Sequence, residues 1–126
     1  MPHFIVEYST NIESQVDMAE LANRIRDDAV ATGVFPLGGI RVRMHPCSVY
    51  TIADGNPDAA FIHIQLRLGA GRDLQVRKTA GDSLFDSLVL FLESVFESIP
   101  FALSFEMVEI DSVLTYKKNN IRNYLS

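Results

Sequence analysis

The sequence predicts an α/β (α+β) domain: two consecutive β-α-β units forming one four-stranded sheet with two helices on one face. Three observations predict it. Strand-like alternation, helix-like periodicity and a second strand follow one another, and the same order then repeats. A loop-forming stretch around residues 47–58, containing Ala53-Asp54-Gly55-Asn56-Pro57-Asp58, separates the two units. A length of 126 residues fits one domain, and 48% apolar against 21% charged residues supplies a core and excludes disorder. The whole chain, 1–126, is therefore expected to be a single domain of two halves, about 1–50 and 57–115, plus a C-terminal segment. The halves share a pattern rather than residues.

Phe4, Val6 and Tyr8 alternate with Ile5 and Glu7, which makes the first strand. Thr10 and Glu13 have capping-box spacing, and Met18, Leu21, Ala22, Ile25 and Ala29 form the apolar stripe of a helix of about 18 residues. Gly33 is its expected stop, and Pro36-Leu37-Gly38-Gly39 a turn. The second strand runs from Ile40 to His45, with Arg41, Arg43 and His45 on one side. Phe61 to Leu68 is the third. Gly69-Ala70-Gly71-Arg72 then turns into a long helix from about Asp73 to Ser98, striped by Ala80, Leu84, Leu88, Phe91, Leu92 and Val95. Pro100 ends that helix, Leu103 to Met107 is the fourth strand, and the tail from Tyr116 to Leu125 reads as a short helix.

With both helices on one face, the other face of the sheet is left uncovered. Arg41, Arg43, His45, His63, Gln65 and Arg67 point there together with Ile5 and Phe61, too polar for a core and too apolar for ordinary surface. Association of several chains over that face is the economical solution.

Charge and composition narrow the partners. The net charge of −5 disfavours nucleic acid and anionic membrane, and no run of about 18 apolar residues offers a span. The single cysteine, Cys47, has no disulfide partner, which fits a reducing, cytoplasmic setting; the first residues lack the basic and apolar regions of a signal peptide. There is no HExxH, CxxC, GxSxG or P-loop motif, and Leu74 stands where a dinucleotide fingerprint needs its third glycine. His3, His45 and His63 lack metal-ligand spacing, so no metal is expected.

The arginines carry more. Arg72 sits at the mouth of a strand-to-helix turn, where free N–H groups and a guanidinium favour an anion. Arg41 and Arg43 share a strand face. Pro2 is small enough for Met1 to be removed, exposing a prolyl amine whose pKa burial and nearby arginines lower towards neutrality.

Four segments now converge: Pro2 to Glu7, Ala31 to Arg41, Gly69-Ala70-Gly71-Arg72, and Ala102 to Glu106. In order and over nearly the whole length, including Lys117 to Asn120, they closely resemble the 5-carboxymethyl-2-hydroxymuconate Δ-isomerase family. That family lies in the tautomerase superfamily, with 4-oxalocrotonate tautomerase and macrophage migration inhibitory factor. The resemblance implies a homotrimer whose sheets line a central barrel, with active sites at or near the subunit interfaces. It implies no cofactor, and a small polycarboxylate substrate formed after ring cleavage of homoprotocatechuate in 4-hydroxyphenylacetate breakdown. Pro2 is implied as the catalytic base and acid. Arg41 and Arg72 are implied as binders of substrate carboxylates, with Arg43 a further candidate. Glu13 stands where single-repeat members carry an arginine, so that role is expected to pass to Arg72. Pro57 precedes the third strand as Pro2 precedes the first, but its nitrogen is an imide with no basic lone pair. One base per chain is expected. The competing readings are a tautomerase of another enol or 2-keto acid, and a non-catalytic trimeric binding protein, which a blocked proline within intact trimers would indicate.

Overall fold

A computed structural model describes all of residues 1–126. The strands are β1 (His3–Ser9), β2 (Arg41–Cys47), β3 (Ala60–Gly69) and β4 (Phe101–Ile110); the helices are α1 (Met18–Ala31), α2 (Leu74–Phe91) and α3 (Glu93–Ser98). They form one four-stranded sheet in the order β2-β1-β3-β4. Each half contributes a parallel pair, β1 with β2 and β3 with β4. The halves join through β1 and β3, which run antiparallel.

The expected sheet and helix arrangement is therefore present, with shifted boundaries. Thr10 to Ser14 winds as a tight 3-10 turn instead of opening the helix. Glu13 is engaged elsewhere, because Tyr8 donates its hydroxyl to that carboxylate at 2.7 Å. Asp17 caps α1, its carboxylate accepting from the amides of Ala19 and Glu20 at 3.0 and 3.2 Å, so α1 has 14 residues rather than about 18. The long second helix breaks at Leu92 into α2 and α3. The tail forms only a 3-10 turn at Ile121–Tyr124.

The core lies between the helices and the inner sheet face. Phe4, Val6 and Tyr8 of β1 meet Ile62, Ile64, Leu66 and Leu68 of β3, covered by Leu21, Ile25 and Ala29 of α1 and Leu84 and Leu88 of α2. Period-2 alternation on the strands and period-3.6 spacing on the helices converge on this one layer. Between the helices, Arg24 binds Asp28 at 3.2 Å, and Ser87 donates to the same carboxylate at 2.5 Å.

The outer face is polar, as anticipated. The register stacks His45, Glu7, His63 and Ser104 in one row, Arg43, Ile5, Gln65 and Glu106 in the next, and Arg41, His3, Arg67 and Val108 in the third. No helix of this chain covers it. No helix is long and apolar enough to cross a membrane.

Candidate active site

The site forms where the chain start meets the first ends of β1 and β2. Pro2 is buried and extends the ladder, its carbonyl accepting from the Arg41 amide at 3.1 Å. Room for the chain start is made by glycine. A methyl at Gly39 would lie 3.4 Å from Met1 Cγ and 3.5 Å from Pro2 Cδ, while one at Gly38 would press on Arg122 at 3.3 Å. The Gly-Gly turn is thus held between the two ends of the chain.

Beside it opens a cavity of about 610 Å³ lined in part by Met1, His3, Arg41, Tyr116, Lys117 and Lys118. No carboxylate side chain lines it. Arg41 donates to the Gly39 carbonyl at 3.4 Å, and both its terminal nitrogens lie 3.6 Å from the Met1 sulfur. Arg72 is placed by the Gly69-Ala70-Gly71 turn, in which Gly71 adopts a φ of +109°. Its guanidinium donates to the Gly69 carbonyl at 3.1 Å and lies 5.3 Å from the Phe35 ring centroid. Neither arginine has a carboxylate partner within 4.0 Å.

The chain-terminal amine records this environment. Burial holds it below its ordinary value, and the charges of Lys117, Arg72 and Arg41 add to the effect in that order. His3 is likewise lowered, first by burial and then by Arg41 and Arg43.

Of the residues expected from sequence, Pro2, Arg41 and Arg72 surround the chain start. Arg72 does not itself line the cavity, though Gly69 and Ala70 of its turn do, and neither does Arg43. Arg43 occupies the neighbouring row of the outer face, 3.2 Å from the His3 ring nitrogen.

Sequence reasoning missed the C-terminal strap, residues 111–120. It leaves β4 through a turn in which the Asp111 carboxylate accepts from the amides of Val113 and Leu114, each at 2.8 Å. It is latched at the other end by Asn119, which donates to the Gly38 carbonyl at 2.9 Å. The usable signal was the Lys117-Lys118 pair in an otherwise acidic chain.

A parallel β-α-β pair joined antiparallel to its own repeat, with a buried proline beside a cavity lined by Arg41, Lys117 and Lys118, defines a tautomerase-like architecture. At 16 and 15% identity, a fused 4-OT and a member of the cis-3-chloroacrylic acid dehalogenase family share this fold, with TM-scores of 0.59 and 0.60. The matches cover 85% and 93% of this chain, and 85% and 82% of theirs. The family model for 5-carboxymethyl-2-hydroxymuconate isomerase matches residues 2–125, and the chain belongs to that family of isomerases. A curated relative, 5-carboxymethyl-2-hydroxymuconate Delta-isomerase of Escherichia coli, is 43% identical over 96% of each chain. Among solved structures, a 5-carboxymethyl-2-hydroxymuconate isomerase from Deinococcus radiodurans R1 is 37% identical with a TM-score of 0.89, covering 99% of this chain and 95% of its own. A 5-carboxymethyl-2-hydroxymuconate delta-isomerase is 27% identical with a TM-score of 0.91, over 98% and 92%.

Proposed function

We propose that this isomerase acts on 5-carboxymethyl-2-hydroxymuconate, without a cofactor, in the breakdown of homoprotocatechuate in the cytoplasm. The observation that carries the reading is the chain start: Pro2 lies buried beside a cavity with cationic walls and no acidic side chain, where the Met1 amine is held below its ordinary value.

The reaction turns a conjugated dienol into its unsaturated keto form: the proton leaves the 2-hydroxyl oxygen, the electron pair moves through the diene, and a proton is added at the distal carbon C5. It needs a base that is free near neutrality and fixed cations where negative charge gathers. With Met1 removed, the Pro2 secondary amine lies in the same surroundings and takes the proton, then returns it at C5. Arg41 and Arg72 hold the conjugated carboxylates and stabilise the dienolate, their planar forks matching planar carboxylates. The nitrogen of Pro57, within the chain, stays an amide and takes no part. Assembly into a homotrimer over the polar outer face completes the reading, supported by the mixed rows of that face.

The test is spectrophotometric. Loss of the enol absorbance of 5-carboxymethyl-2-hydroxymuconate is followed with wild type and Pro2→Ala, after intact mass confirms that Met1 is absent. Rapid conversion that largely vanishes in the variant is expected. Conversion that survives Pro2→Ala overturns the proline mechanism, and none by the processed wild type overturns the substrate.

A further inference from the structure

We infer that Lys117, on the C-terminal strap, binds the carboxymethyl carboxylate of the substrate and so selects a tricarboxylate over a dicarboxylate. This rests on the substrate reading above. A muconate bears two conjugated carboxylates, and the carboxymethyl arm adds a third. Arg41 and Arg72 account for two. Arg43, the third arginine marked by the sequence, stands one row away beside His3.

Lys117 fills the vacancy by position and by chemistry. It lines the cavity with Arg41, makes no ion pair within 4.0 Å, and faces no carboxylate among the lining side chains. Gathering unpaired cations is unfavourable in the free protein, and an entering anion relieves that repulsion. The strap that carries Lys117 is fixed at both ends, by the Asp111 turn and by the Asn119 bond to Gly38. Its acidic residue, Asp111, is occupied by two backbone amides. Lys118 also lines the cavity, but Lys117 is the lysine whose charge is felt at the chain-terminal amine.

The type of cation fits as well. A conjugated carboxylate is planar and suits the arginine fork, whereas the carboxymethyl arm turns about an sp³ carbon and bears no developing charge. A compact ammonium on a flexible stem follows such an arm better.

The experiment compares wild type, Lys117→Gln and Lys117→Arg on 5-carboxymethyl-2-hydroxymuconate and on 2-hydroxymuconate, which lacks the arm, each at its pH plateau. For Lys117→Gln, KM on the first substrate should rise about 10- to 100-fold, with kcat changed far less. On 2-hydroxymuconate the effect should be several-fold smaller, and Lys117→Arg should recover most of the loss. An unchanged KM, an equal loss on both substrates, or no recovery by arginine overturns the inference. A wild type that converts neither substrate removes the proposed reaction, and calorimetry then reads Lys117 by itself. A preference for tricarballylate over glutarate that disappears in Lys117→Gln supports the role; its absence in wild type overturns it.

Discussion

At the scale of single residues, the proposed chemistry rests on the chain start. Burial and three cations hold the Met1 amine below its ordinary value near 8, and the same surroundings are expected to act on the Pro2 amine once Met1 is removed. A base works only unprotonated, so kcat/KM should fall as pH drops through the amine's pKa. Removing a neighbouring cation raises that pKa and moves the acid limb to higher pH. Arg41→Ala is therefore expected to shift the limb upward and to lower kcat by about 10²- to 10³-fold, the usual loss when one charge-stabilising donor goes. A pH–rate profile of the processed variant checks both. The gathering of Pro2, Arg41 and Arg72 about the chain start was legible in the sequence because each is tied to a local motif: a chain start, a Gly-Gly turn before a strand, a Gly-Ala-Gly turn before a helix. Lys117 was not, because its place depends on a strap returning across the fold, and no period in the tail announces that.

At the scale of elements, alternation and stripe spacing gave the strands and helices, while their ends were decided by competing hydrogen bonds. Thr10 and Glu13 have the spacing of a capping box, yet Tyr8 claims Glu13 and Asp17 takes the two free amides of α1. Tyr8 is pushed up to about 12 by burial and that bond, so it stays a donor at any working pH. Asp17→Ala should cost about 1 kcal/mol of stability, read as a lower urea midpoint with an unchanged slope. The break at Leu92 was invisible to periodicity, because Leu88, Leu92 and Val95 remain buried on one stripe across it. The strap makes a separate prediction. Two backbone amides hold the Asp111 carboxyl below the usual range. A depressed acid pKa stabilises above the unfolded value, near 3.9, and that contribution is lost as pH falls through the folded value. The Val113 and Leu114 amides should therefore stay protected from hydrogen exchange at mildly acidic pH and lose protection only in stronger acid. In Asp111→Ala they should be unprotected throughout.

At the scale of the whole molecule, the outer sheet face is the proposed contact between chains. Its three rows mix Arg41, Arg43 and Arg67 with Glu7 and Glu106, and set Ile5 between Arg43 and Gln65. Such a face suits copies of itself, because the Arg43–Glu106 row carries both signs of charge around Ile5, and the cationic Arg41–Arg67 row can meet the Glu7 row of the next chain. Three chains of 14.1 kDa make about 42 kDa, the mass expected by sedimentation equilibrium if the sheets close into a trimer. Ile5→Asp places a charge at the middle of the face without touching the inner core, where Phe4 and Val6 lie buried. Burying that unpaired charge at an interface is costly, so the variant should sediment as a monomer while keeping a cooperative thermal transition. A trimer that survives Ile5→Asp would mean that this face is not the contact. A monomeric wild type would leave the polar face open to water and remove assembly from the proposed function.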